Sequence, residues 1–328
     1  MESLDAMRRD KGLQAGLEAL SRHDLLLDPR HTGVNNLSEF LFLMQLGAIQ
    51  WQQIARFAGV RLRDFRSDFG NPVYASFYYI REIFPVERPL SSFALDDRLT
   101  ILSKVRLCGS TVIDGQHLLC GEETPVERYQ SADTQDLDRC GWLPAVRMSN
   151  VFVQKQSGPD QLKVVFPANV DLDRFPRTES KPETYELAQR ARAELRFPRP
   201  AAAGFRQIGP AGFSFRYEIN PDRDINGVGL VYFANYVAFL DMAERHLLRR
   251  ARTPEERIDR RSLVEREIAY FGNARSTEVL HIEVDAFVLE GKCEMPEDLE
   301  AIHFEYRVRR ESDGRLICVS RATKILPE

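Results

Sequence analysis

The chain carries two copies of one segment. Asp28 to Met44, DPRHTGVNNLSEFLFLM, lies without a gap over Asp224 to Leu240, DINGVGLVYFANYVAFL. In that overlay Asp28 falls on Asp224, Gly33 on Gly229, Leu37 on Phe233, Phe40 on Tyr236, Leu43 on Phe239 and Met44 on Leu240. Each copy opens on a polar glycine turn and runs into an apolar, helix-spaced segment. Strand-like runs follow each copy, and Leu99 and Ile101 of the first set match Leu280 and Ile282 of the second. A helix with so broad an apolar surface needs a sheet to cover it. Any two amphipathic helices align to some degree. It is the repeated order of turn, helix and strands that predicts two like halves.

The 328 residues, 43% of them hydrophobic, suit two compact units better than one. In the first half a helix is predicted over Leu37 to Ala58. Leu37, Phe40, Leu41, Met44, Ala48, Trp51 and Ile54 follow helical spacing, and Phe42, Leu43 and Leu46 widen the apolar face. Ser38 is its expected N-cap. Strands are expected from Tyr74, Asp97 and Arg147, and STVIDGQHLLCGEE is expected to turn at Asp114-Gly115. In the second half the pattern gives a strand from Gly212, a helix over Val231 to Leu248, strands from Arg266, Ile302 and Arg315, and a hairpin at Asp313-Gly314. The proline-bounded, charged stretch between the halves reads as a linker with one short helical pattern. The plan is an N-terminal arm (1–22), a first domain (23–170), a linker (171–208) and a second domain (209–328), all of the α+β class.

The net charge of −4 comes from charges of both signs spread along the chain. The Arg-rich stretch from Arg245 to Arg261 is interleaved with Asp and Glu, so no nucleic-acid partner is expected. The cysteines, Cys108, Cys120, Cys140, Cys293 and Cys318, are odd in number, form no CxxC pair and have no zinc spacing with histidine. No apolar run reaches membrane-spanning length, and no apolar signal segment precedes a cleavage site. A reduced, cytoplasmic protein without a metal and without a membrane partner is the expectation.

The second turn reads Asp224, Ile225, Asn226, Gly227, Val228, Gly229, followed by Leu230 to Phe233, Ala234, Asn235 and Tyr236. It resembles the motif of 4-hydroxybenzoyl-CoA thioesterase-type hotdog proteins: Asp-x-Asp-Pro-x-Gly, an apolar pair, an aromatic, a small residue and Asn-Tyr. That resemblance implies a long helix wrapped by an antiparallel sheet. It also places the catalytic aspartate of those enzymes on Asn226. Taken whole, residues 25–328 resemble the double-hotdog acyltransferase/decarboxylases of the leinamycin-pathway type. The residues that carry the likeness are GVNNLSEFLFLMQLGAIQW, RDINGVGLVYFANYVAFLDMAER, NPVYASFYYI and VRMSNVFVQ. The resemblance implies a double hotdog that takes malonyl- or methylmalonyl-CoA and moves the acyl group to a tyrosine. It then removes CO2 and delivers the product to an acyl carrier protein in polyketide assembly. The tyrosine falls on Tyr74, with Tyr78 and Tyr79 close by in sequence. A CoA thioester is the substrate and no separate cofactor is implied. Hotdog sheets often continue across a dimer, so a homodimer is also an expectation.

The chemistry asks for donors more than for bases. Losing CO2 from a malonyl thioester leaves an enolate, which aimed N–H groups stabilise. An amide at 226 is no general base near pH 7, but it can donate. Asn226, with the backbone N–H groups of Gly227 and Gly229, is the expected donor set. His31, just before the first helix, is the candidate to take the tyrosine proton, or otherwise a capping histidine. Asp224 is read as substrate-binding or as a turn-former using its own carboxylate. Glu39, in the first turn of the first helix, is substrate-binding or, in a thioesterase, the missing carboxylate. Tyr236 and Phe239 read as core, and Asn150 as a strand-start amide. A hotdog thioesterase or dehydratase and a non-catalytic acyl-binding protein stay open as alternatives.

Overall fold

The protein was analysed as a computed structural model that describes residues 20–109, 111–121, 144–158, 161–178, 182–291 and 299–327. The first half contains β1 (Leu20–Leu26), β2 (Thr32–Gly33), β3 (Asn36–Leu37), α1 (Glu39–Ala58), β4 (Tyr74–Ile83), β5 (Arg98–Cys108), β6 (Val112–Gly121), β7 (Ala145–Lys155) and β8 (Leu162–Val164). The connecting region holds β9 (Arg177–Thr178) and α2 (Glu183–Glu194). The second half contains β10 (Gly204–Glu218), α3 (Pro221–Asp224), α4 (Asn235–Arg250), α5 (Glu255–Asp259), β11 (Ser262–Tyr270), β12 (Val279–Glu290), β13 (Leu299–Arg310) and β14 (Leu316–Pro327).

One sheet runs through both halves in the order β1-β5-β6-β7-β4-β11-β14-β13-β12-β10. Reading outward from its middle, each half shows the same plan: β4, β7, β6, β5, β1 on one side and β11, β14, β13, β12, β10 on the other. Leu99 and Ile101 lie on β5, and Leu280 and Ile282 on its counterpart β12. The halves join where β4 pairs antiparallel with β11, with Ile80 opposite Ile268 and Ile83 opposite Glu265. Each half is thus a long helix covered by an antiparallel sheet, and the chain is a double hotdog.

The two central helices share one apolar core. Phe42, Leu43, Leu46 and Ile49 of α1 join Tyr236, Val237, Phe239, Leu240 and Leu247 of α4 in it. Sequence spacing favoured a different stripe on α1, but its Met44 is exposed while Phe42, Leu43 and Leu46 are fully buried. The other half supplies a second burying surface, which turns the covered face. Ser38 occupies the N-cap position without a side-chain cap hydrogen bond.

Several boundaries differ from expectation, among them the strands expected from Arg147, Arg266 and Ile302, which begin at Ala145, Ser262 and Leu299. Residues 1–19 lie outside the described residues, and β1 begins at Leu20, inside the expected arm. The strand expected from Gly212 begins at Gly204. Helix α4 starts at Asn235, because Leu230 to Ala234 extend the turn rather than the helix. The expected turn at Asp114-Gly115 is also overturned, since β6 runs straight through both residues. Asp114 is buried and accepts hydrogen bonds from Arg106, Arg147 and Ser149. Gly115 lies beneath the Gln50 amide, and a Cβ there would meet Gln50 Oε1 at 2.0 Å. The hairpin at Asp313-Gly314 forms, with Gly314 at φ +67°.

Candidate active site

The turn at 224–233 is built by its own side chains. Asn226 Oδ1 accepts from the backbone N–H of Val228 (3.1 Å) and of Leu230 (3.0 Å). The Gly229 N–H donates to the Asn226 carbonyl at 2.8 Å, and Gly229 has φ +73°, a region that favours glycine. Gly229 therefore shapes the turn, and its N–H is not available as an oxyanion donor. Asp224 is 1% exposed. Its carboxylate accepts from Tyr217 Oη (2.6 Å), Asn220 N (2.8 Å), Arg223 Nε (3.0 Å) and Asn235 Nδ2 (3.1 Å). Asp224 ties the turn to β10 and α4, and it is not among the residues lining either of the two cavities described below. Asn273, after β11, holds the far side. Its Oδ1 accepts from Val231 N at 2.9 Å and its Nδ2 donates to the Val231 carbonyl at 3.2 Å.

A cavity of about 420 Å³ opens beside this turn, at the junction of the two halves. Trp51 of α1, Tyr74 to Phe77 of β4, Asn226 to Val228, Leu230 to Phe233, Tyr236 of α4 and Tyr270 of β11 form most of its wall. Tyr74, Asn226 and Gly227, three residues expected from sequence, therefore meet in one place. The Tyr74 hydroxyl, Asn226 Nδ2 and the Gly227 N–H have no hydrogen-bond partner among the described residues. Tyr78 and Tyr79 line no part of the cavity. The Tyr78 hydroxyl is 3.1 Å from Thr184 Oγ1, and the Tyr79 hydroxyl donates to Glu267. Burial pushes the Tyr78 phenol up to about 12 and also raises that of Tyr79 well above its usual value. A register shift between Phe77 and Tyr79 separates them from the cavity-facing start of the strand.

The wall is mostly aromatic. Phe77 and Phe233 have ring centroids 4.2 Å apart, and Trp51 stands 5.4 Å and 5.8 Å from them, with its Nε1 donating to the Ala75 carbonyl. Among the described residues, neither a carboxylate nor an imidazole lines the cavity. Its positive charge is at the rim. Arg63 has a side chain 73% exposed, and Lys155 donates to the Val228 carbonyl with its Nζ 5.3 Å from the centroid of the Tyr74 ring.

His31 and Glu39 lie elsewhere. His31 Nδ1 is 3.1 Å from the Asp28 carboxylate within the first-half turn, and it is not brought to Tyr74. Glu39 is buried and paired with Arg266 of β11. It borders a second cavity of about 350 Å³, which Val34, Asn35, Asn36, Leu37 and Phe40 also line. In the overlay of the repeats these five match Leu230, Val231, Tyr232, Phe233 and Tyr236. The second cavity is thus the twin of the first, but it is bordered by Asp241, Arg245, Asp259, Arg261 and Lys324. Tyr232 and Asn273 were not expected at the site. Tyr236 was expected in the core. Among the described residues, no three His, Cys, Asp or Glu side chains are grouped to hold a metal ion, and no helix is long and apolar enough to cross a membrane.

Solved structures of similar architecture include an acyl-ACP thioesterase from Bacteroides thetaiotaomicron. It is 12% identical, with a TM-score of 0.56 over 94% of this chain and 98% of that one. A 12:0-ACP thioesterase from Umbellularia californica is 11% identical, with a TM-score of 0.56 over 94% of each chain. At such identities the likeness concerns the fold. No curated protein matches the sequence. The sequence pattern of the LnmK N-terminal Hot Dog Fold domain matches residues 28–199, just over half of the chain. With that match, and with the helix-in-sheet unit found in both halves, the protein belongs to the LnmK N-terminal Hot Dog Fold family.

Proposed function

We propose that the protein is an acyltransferase/decarboxylase that takes a malonyl-type acyl group from CoA, removes CO2 and passes the product to an acyl carrier protein. One observation carries the reading: among the described residues, the cavity offers unpaired hydrogen-bond donors and no carboxylate or imidazole. Hydrolysis of a thioester needs a group to activate water, and dehydration needs an acid and a base. Decarboxylation needs the developing enolate oxygen to be held by donors.

In this reading Tyr74 Oη attacks the thioester carbonyl carbon. The C–S bond breaks, and the CoA sulfur leaves with the phenol's proton. The bond to the free carboxylate then breaks, CO2 departs, and its electron pair forms an enolate. Asn226 Nδ2 and the Gly227 N–H hold that oxygen. The enolate carbon then takes a proton from solvent water, which gives the shortened acyl ester. The thiol of the carrier's phosphopantetheine attacks it, forming a thioester and restoring the phenol. Arg63 and Lys155 at the rim suit the phosphates of CoA or of the carrier's arm. No cofactor beyond the CoA thioester is required.

The test is mass spectrometry of the intact protein and its peptides after incubation with malonyl-CoA and methylmalonyl-CoA. The expected result is an adduct on the peptide holding Tyr74, lighter by CO2 than the acyl group supplied. Free CoA with no adduct in any time point favours a thioesterase. Unchanged substrate and protein favour a binding protein.

A further inference from the structure

Tyr236, the second residue of α4, lines the cavity and is 1% exposed. Its hydroxyl has no hydrogen-bond partner among the described residues. Its neighbour Tyr270, with ring centroid 5.2 Å away, donates to the Phe233 carbonyl at 3.0 Å and is satisfied. Leaving a buried hydroxyl unpaired costs about 1–3 kcal/mol. Packing does not require it, because the matching position of the first half is Phe40, an aromatic ring without the oxygen. Tyr236 lines the cavity, so a group bound there can supply the partner its hydroxyl lacks.

We propose that the Tyr236 hydroxyl is a ligand-binding donor of this cavity and that it receives the free carboxylate of a malonyl-type acyl group. The assignment of the carboxylate rests on the function proposed above. Asn226 Nδ2 and the Gly227 N–H lie at the turn and take the thioester oxygen, which leaves the far end of a short acyl group to Tyr236. The cations at the rim are not at this end, and Arg310 behind it is paired with Asp313 and the Asn273 carbonyl. A neutral donor suits the reaction better than a cation. An ion pair would stabilise the carboxylate that must be lost, and so would stabilise the ground state more than the transition state. Burial raises the Tyr236 phenol far above its usual range, so it stays a protonated donor.

The test compares the full-length protein with Tyr236→Phe by stopped-flow fluorescence, with Trp51 in the cavity wall as reporter. The probes are malonyl-CoA and acetyl-CoA, read in the binding phase before turnover. The wild type should prefer malonyl-CoA. The variant should bind malonyl-CoA about tenfold more weakly and acetyl-CoA unchanged, with a melting temperature equal to or above that of the wild type. Equal weakening of both probes, an unaltered preference, a wild type without preference, or a lower melting temperature would each overturn the proposal. A wild type that prefers malonyl-CoA, and loses that preference in Tyr236→Phe, yet releases no CO2, would overturn the decarboxylase reading alone.

Discussion

Asn226 spends one end of its amide on the turn and keeps the other for the cavity. Its Oδ1 holds two backbone N–H groups and its Nδ2 has no partner among the described residues. Aspartate at 226 could accept the same two N–H groups, so Asn226→Asp should leave the fold intact while removing the donor. We expect CO2 release from malonyl-CoA to fall about 10²–10³-fold, with a melting temperature close to wild type. A loss of both rate and melting temperature would mean that the amide is only structural. Asn226 and Gly227 were legible because turn chemistry is local: glycines and an amide at fixed spacing report backbone geometry directly, whereas Tyr74, on a strand, came from the family resemblance alone and not from its spacing. Tyr236 was not legible. An aromatic at helical spacing reads as core, and nothing in one sequence tells whether its hydroxyl is paired. The one available signal was Phe40 at the matching position of the other repeat.

At the scale of single elements, β6 shows where a local rule gives way to packing. Asp114-Gly115 has turn chemistry, yet the pair lies inside a strand because each residue answers to a partner on another element. Gly115 leaves room for Gln50, the middle of a buried polar chain. His117 Nδ1 is 2.6 Å from Ser103 Oγ, His117 Nε2 is 3.0 Å from Gln50 Oε1, and Gln50 Nε2 donates to Asn150 Oδ1 and to the Met148 carbonyl. Because Gln50 Nε2 is the donor, Oε1 faces His117, so the imidazole proton is assigned to Nε2. Gly115→Ala would push a methyl group into Gln50 and break this chain. A destabilisation of about 1–3 kcal/mol is expected, read by urea unfolding; a variant as stable as wild type would show that Gln50 moves freely aside. The two long helices were legible from periodicity to within a few residues, while the short α3 and α5 were not expected. The buried stripe of α1 was not, because the second half that covers it lies far away in sequence.

The whole molecule is held at its middle by charge as well as by the β4–β11 pairing. Arg266 of β11 is fully buried between Glu39 of α1 and Asp241 and Glu244 of α4, and Lys324 of β14 bonds the same two α4 acids. Removing one member of such a set leaves buried charge uncompensated, so Arg266→Met should cost about 3–5 kcal/mol, measured by chemical denaturation. A neutral outcome would show that the acids there carry protons. Stability should also depend on pH. Burial holds His117 down at about 3, below the ordinary 6.5. The folded chain therefore carries fewer protons between those values, and its stability should fall as pH drops from 6.5 toward 3. Glu82 acts in the opposite sense, since burial beside Glu39 raises its carboxyl and its contribution is lost as pH rises. Comparing melting curves of wild type and His117→Gln isolates the histidine, and parallel curves would refute its role. The duplicated order of turn, helix and strands made the two halves legible, while the joining charges were not, because single Glu and Arg residues scattered through 328 positions carry no pattern. Covalent fusion has a further consequence. In a symmetric pair of identical chains every substitution enters both clefts at once, so a change that suits one is imposed on the other. Here the two clefts are separate stretches of one chain, and inheritance can alter each alone. An aromatic cleft with a free hydroxyl and a twin crossed by ion pairs are what such independence permits.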